Sequence, residues 1–204
     1  MACAWEASVN EISILIGVPL LIWQTVSAAW DWRDRSVPVW FSLIPLVSGI
    51  LFFGIMVSPL GAVLLLVSIL GTNLSSRTGL ILTILPAAYL LVSSFPGHLT
   101  ALYAGWLLFW VLWLGGVLGG SDALAGTILL VWFPTPEMLI AILAGLLIWS
   151  LGMLVKQFGF FAPVRIWLVL RQGFSTNLQE RERHPGLGAF PLALLLFMLW
   201  LRLS

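Results

Sequence analysis

Charge is what this chain has least of. Only 8% of its 204 residues are Asp, Glu, Lys or Arg, against about 25% in a soluble domain, so water would not wet the surface of such a chain. Nine basic and eight acidic side chains leave a net charge of +1, which excludes the clustered basic footprint of a nucleic-acid-binding protein. Cysteine occurs once, as Cys3, ruling out an internal disulfide framework and any zinc site built on Cys-x-x-Cys pairs. Histidine occurs twice, as His98 and His184. With no carboxylate cluster beside either, no metal site and no cofactor are expected.

Apolar side chains fill the space that charge leaves. They make up 61% of the residues and include twelve Trp, and the mean hydropathy is +1.09. At roughly 20 residues per crossing, the apolar runs leave room for about six to eight helices and no sizeable soluble domain. The expected fold is all-α, a polytopic transmembrane bundle forming one domain over residues 1–204. Ser27, Ala28 and Ala29 resemble a signal-peptide cleavage site, but the only charges ahead of the first apolar run are Glu6 and Glu11. A secretory signal begins with positive charge, so the first run reads as a retained span.

Charges and turn residues divide the chain into candidate spans at 12–29, 39–57, 59–74, 79–94, 99–118, 123–133, 138–155 and 189–203. The third, sixth and eighth are near or below the length of a full crossing. The distribution of basic residues tests the count. With the N-terminus outside, the inner loops hold Arg33, Arg35, Arg77, Lys156, Arg165, Arg171, Arg181 and Arg183, and only Arg202 falls outside. That is the bias the positive-inside rule predicts. Deleting the short sixth span would move five of these residues to the wrong face, so eight spans with both termini on the non-cytoplasmic side fit best.

This topology brings two carboxylates to one face. Asp31 follows the first span and Asp122 opens the sixth, 91 residues later. Trp30, Trp32 and Trp40 crowd the first position as an interfacial aromatic belt would. Ionisable groups at the edge of a span are costly and therefore functional candidates. Asp122 has no basic residue within 30 positions, so its desolvation calls for a partner from another helix or a raised pKa. It also fits a plain role, capping the N-terminus of the sixth span. Gly115/Gly119 and Gly116/Gly120 form two overlapping GxxxG pairs, which let helices approach closely in lipid. Asp31 has its own plain reading, a juxtamembrane acid paired with Arg35 four residues on, in a loop ended by Pro38. In the functional reading, the two carboxylates share one water. Such a pair holds one proton: the ionised member takes a proton from water, and the neutral one donates to a scissile carbonyl.

The elements Asp31-xxx-Arg35-x-Val37-Pro38 and Gly119-x-Ser121-Asp122 resemble the type IV prepilin peptidases and archaeal preflagellin peptidases, membrane aspartic proteases of the GxGD type. The stretch Pro185–Pro191 is loosely similar to the Pro-rich approach to that family's last helix. The resemblance implies removal of a short basic leader from type IV pilin-like precursors at the cytoplasmic face of the inner membrane. It implies Asp31 and Asp122 as the catalytic pair, with Arg35, Pro38, Gly119, Gly120 and Ser121 positioning around them. The partners it implies are a precursor with an N-terminal leader and hydrophobic helix, and membrane lipid; oligomeric state stays open. The chain departs from the pattern at Ser121, where the family has Gly, at Leu124, where Lys is frequent, and at Val39, where Asn follows the Pro. The bifunctional members carry a cytoplasmic Cys-x-x-Cys domain and also N-methylate the mature pilin. With Cys3 alone, a peptidase-only form is expected.

Other features have bland readings. Trp106, Trp110 and Trp113 form a helix stripe suited to packing or lipid contact. Pro163–Gln172 suits a short interfacial helix whose arginines snorkel to the surface, or a contact for polar residues of a substrate. Two alternatives stand beside the peptidase. One is an inactive family member serving as a membrane scaffold. The other is a small proton- or cation-linked transporter, disfavoured because no further polar residue is expected in a span interior.

Overall fold

The computed structural model describes residues 2–34, 37–72, 81–82, 86, 97–114, 118–158 and 187–203. Among them the chain is entirely helical: α1 (Ala2–Asp34), α2 (Val39–Met56), α3 (Pro59–Thr72), α4 (Gly97–Leu114), α5 (Gly120–Trp132), α6 (Pro136–Phe158) and α7 (Ala189–Leu203). The expected fourth span falls almost wholly outside the described residues, as do Arg35, Arg77, Gly115, Gly116, His184, Pro163–Gln172 and the arginines from 165 to 183. α2 and the Pro136–Met153 part of α6 are long and apolar enough to cross a membrane.

Hydrophobic side chains occupy both the inside and the outside of the bundle. α2 buries Leu46, Ile50 and Phe53 while exposing Leu43, Ile44, Val47, Leu51 and Ile55; α6 buries Met138 and Ile142 while exposing Ile140, Leu147 and Leu151. The centre is α5. It packs against α2, α4, α6 and α7, and every residue from Ala125 to Val131 is buried. Thirteen residues make a helix of about 20 Å at roughly 1.5 Å per residue, short of a hydrocarbon core of about 30 Å. Because protein surrounds α5, its free backbone groups need not face lipid.

Proline and tryptophan join the helices around this centre. Pro45 lies inside α2 and has no N–H to give to the carbonyl four residues back, at Phe41. The Trp23 indole of α1 supplies the missing donor, 2.9 Å from the Phe41 oxygen, and the Trp132 indole of α5 donates to the Pro45 carbonyl, also at 2.9 Å. Gly49 makes room for this second bond, since a Cβ there would stand 2.7 Å from Trp132 Nε1. Tyr103 of α4 donates to the Gly61 carbonyl of α3. Trp106 and Trp110 are buried and Trp113 is exposed, as a packing stripe would be. At the far end of α1, Lys156 Nζ lies 4.8 Å from the centre of the Trp32 ring, so the C-terminal ends of α1 and α6 share one end of the bundle.

Candidate active site

α1 positions the first aspartate. Leu20, Gln24, Ser27 and Asp31 are buried, and their spacing of four, three and four residues is one face of an α-helix. Thr25, Val26, Ala29 and Trp32 on the other faces are exposed. The loop expected around Asp31 is therefore corrected: the helix continues through Trp30 to Asp34, carrying Asp31 inward. Val37 and Pro38 lie outside any helix, as expected where a proline restricts the residue ahead of it to extended conformations. Pro38 serves as the N-cap of α2 with ψ near 131° and accepts the Phe41 N–H. The Phe41 ring stands 5.7 Å from that of Trp30, so the Pro38 turn lies beside Asp31's helix end.

The start of α5 positions the second aspartate. Gly119 is extended, with φ −69° and ψ 155°, and Asp122 stands three residues on, in the first helical turn. Asp122 Oδ2 accepts the Gly119 N–H at 3.2 Å, and the Gly119 carbonyl accepts the Ala123 N–H. A full capping box needs a side chain at the first position as well, and glycine has none. A Cβ at Gly119 would stand 3.1 Å from Asp122 Oδ2, and one at Gly120 3.4 Å from Trp113 Nε1, so small residues fit this turn; Ser121, between Gly120 and Asp122, is partly buried. Capping thus accounts for one carboxyl oxygen only. The other, Oδ1, is buried and has no hydrogen-bond partner among the described residues.

Of the two GxxxG pairs, the structure describes the second glycine of each. α4 ends at Leu114, the Leu118 N–H reaches back to the Leu112 carbonyl, and Gly119 is extended. Gly115 and Gly116 lie outside the described residues, and the glycines at 119 and 120 serve the turn at the start of α5.

The two aspartates meet electrostatically. Asp122 precedes the apolar run 123–133, at the end of the bundle. Burial raises its carboxyl to about 6; the Gly119 N–H opposes the rise and the Asp31 charge adds to it. Desolvation and a like charge both disfavour ionisation. α1 and α5 also touch directly, through a 3.5 Å bond from Gln24 Nε2 to the Ala125 carbonyl.

Gln24 is the residue that the sequence reading missed. The expectation of no further polar group inside a span is overturned by Gln24, Ser27 and Thr127, all buried. The signal was available: a glutamine inside the first apolar run, seven residues from Asp31 and so on its helix face. Ser27 and Thr127 bond to carbonyls of their own helices, at Trp23 and Ala123. Gln24 Oε1 has no partner among the described residues. A shallow depression of about 420 Å³ lies on another face of α1, lined by Val26, Ala29, Trp30, Arg33 and Asp34; neither Asp31 nor Asp122 lines it. Among the described residues, no group of three His, Cys, Asp or Glu could hold a metal ion.

The fold and site together describe an all-helical bundle, partly long and apolar enough to cross a membrane, with two buried aspartates from separate helices near one end. The chain matches no family model, no curated protein and no solved structure.

Proposed function

We propose that this chain is a membrane aspartic endopeptidase, similar to the type IV prepilin peptidases. It removes the basic leader of pilin-like precursors at the cytoplasmic face of the inner membrane and does not N-methylate the product. The observation that carries this reading is a pair of buried aspartates, Asp31 on α1 and Asp122 on α5, brought from positions 91 residues apart in sequence so that the charge of the first acts on the second. Two carboxyls that disfavour each other's ionisation retain one proton between them. The ionised one takes a proton from water as its oxygen attacks the scissile carbonyl carbon. The neutral one gives its proton to the carbonyl oxygen. Collapse of the resulting diol breaks the C–N bond, with the amine leaving protonated.

The test uses the purified chain in liposomes with a pilin precursor, reading leader removal by mass spectrometry. Cleavage at the leader junction is the expected result; an intact precursor at every pH from 4 to 8 would remove the proposal. Cleavage falls as the pH rises through about 6, because the shared proton is lost as Asp122 ionises; the titrations belong to the pair. The same raised carboxyl makes folding less favourable as the pH climbs from the ordinary Asp range, about 3.9, through about 6, since the unfolded chain ionises more readily. An activity profile rising steadily from pH 5 to 8 would contradict this assignment.

Eight spans with both termini outside belong to the same proposal. The contact of Lys156 with Trp32 supports it, because that topology assigns both residues to the inner side. Cys3 is the only thiol, so a membrane-impermeant maleimide added to intact cells labels the protein at this residue. Labelling only after permeabilisation would reverse the orientation.

A second reading draws on the buried Gln24, Ser27 and Asp31, which carry polarity into the bundle. In a proton- or cation-linked transporter, such a line of groups would conduct. The same liposomes, loaded with a pH-sensitive dye, separate the two: flux without cleavage favours the transporter.

A further inference from the structure

The two aspartates stand on helices that scarcely pack on one another. Among the described residues, α1 packs chiefly against α7, and α5 chiefly against α2 and α4. The direct hydrogen bond between α1 and α5, from Gln24 Nε2 to the Ala125 carbonyl, is 3.5 Å long, outside the usual range of about 2.7–3.2 Å. A bond that long fixes little, so the interval between Asp31 and Asp122 needs a firmer support.

α2 supplies it. Two indoles donate to carbonyls one turn apart on this helix, Trp23 of α1 to Phe41 and Trp132 of α5 to Pro45, both at 2.9 Å. Pro45 makes the first bond necessary, because it leaves the Phe41 carbonyl without the N–H of the residue four places on. In an apolar setting with no water at hand, such a carbonyl must find a donor within the protein. Ring contacts flank both bonds. The Phe41 ring lies 6.1 Å from that of Trp23 and 5.7 Å from that of Trp30, and residues seven apart share one helix face. The Trp132 ring stacks on Phe52 at 5.3 Å. Trp23 lies eight residues before Asp31 and Trp132 ten after Asp122. At roughly 1.5 Å per residue, these are about 12 and 15 Å along their helices, so each indole holds its helix at a similar distance from the carboxyl.

We infer that Trp23 and Trp132 are positioning residues that set the interval between Asp31 and Asp122, by hanging both aspartate-bearing helices on neighbouring carbonyls of α2 at its internal proline. The tethering of the helices stands without the peptidase reading; its effect on catalysis rests on that reading. Misplacing reacting groups by about 1 Å can cost up to about 10²-fold in rate, so bonds remote from the carboxyls can govern their chemistry.

The test is Trp23→Phe and Trp132→Phe, each of which keeps a ring and loses the N–H donor. The first readout is leader cleavage in liposomes, where kcat falls about ten- to a hundredfold with KM unchanged. The second needs no substrate. Spin labels at Arg33→Cys and Ser121→Cys, in a Cys3→Ser background, report the distance from the end of α1 to the start of α5. That distance lengthens and its distribution broadens in both Phe variants; an unchanged distribution in either one overturns the inference. Pro45→Ala separates positioning from mere satisfaction of a carbonyl. Alanine brings an N–H to the Phe41 carbonyl, so adding it to Trp23→Phe restores the melting temperature without restoring the tie to α1. In the double variant kcat therefore stays low. Recovery of kcat together with the melting temperature would also overturn the inference. Pro45→Ala alone keeps the indole bond, since a carbonyl oxygen accepts two donors, and its kcat stays near that of the unmodified chain. An unmodified chain that never cleaves, yet whose labels move apart in both Phe variants, would defeat the peptidase reading and leave the tethers standing.

Discussion

Asp31→Asn and Asp122→Asn each lower leader cleavage by roughly 10²- to 10⁴-fold, the range a positioned acid or base contributes, while the folded protein remains in the membrane. The double variant is no worse than the weaker single one by more than a small factor, because the pair works as a unit. The structure explains why folding survives. At position 122 the Asn carbonyl oxygen still accepts the Gly119 N–H that Asp122 Oδ2 accepts now. The amide nitrogen then occupies the place of Oδ1, which has no hydrogen-bond partner among the described residues, so no existing bond is broken. Asp122→Asn should therefore melt close to the unmodified chain. Cleavage within twofold of wild type in either Asn variant would reduce the aspartates to structural groups, leaving a scaffold or transporter. A fall in melting temperature matching the loss of cleavage would leave the result structural.

Gly145→Ala lowers the thermal midpoint in detergent by about 4–8 °C. α6 and α7 pack extensively against each other, and Gly145 lies against the backbone of α7. A Cβ there would stand 2.7 Å from the Ala189 carbonyl oxygen, 2.9 Å from Ala193 Cβ and 3.1 Å from Ala193 N. Two of these neighbours are backbone atoms, with no flexible end to swing aside, so α7 must move. Overpacking of this kind costs about 1–3 kcal/mol, and in a chain of this size each kcal/mol is worth roughly 2–4 °C. Gly152→Ala on the same helix is the control. Nothing lies within 4 Å of a Cβ at that position, and Ala favours a helix over Gly, so its midpoint is unchanged or slightly higher. Equal midpoints for the two variants would show that the helices do not pack as described.

Particular residues show how far the sequence could be read. The runs at 39–57 and 138–155 became α2 and α6, because an unbroken apolar stretch of that length has few other stable forms. Gly119 and Asp122 were legible as the start of a helix from glycine and carboxylate chemistry alone. Asp31 was read as a juxtamembrane acid in a loop. A polar cluster reads as a turn, and only the packing of α1 reveals that the helix continues beneath it. Gly119 read as part of a helix-packing pair, whereas its extended backbone makes it the N-cap of α5. Gln24 was overlooked because one amide hardly changes the hydropathy of the run around it.

The sequence by itself determined the class of this chain, for a physical reason: hydropathy and charge are sums over residues and need no knowledge of neighbours in space. With 61% apolar and 8% charged residues, the chain builds apolar helices, and the scarce charges mark their ends. Only the tertiary structure decided which faces of those helices meet. It turned Gln24 and Asp31 inward together, surrounded the short α5 with protein, and left Asp122 with one oxygen bonded and one without a partner among the described residues. Burial and pairing depend on atoms brought together from distant parts of the chain, and no local property of Asp122 contains them.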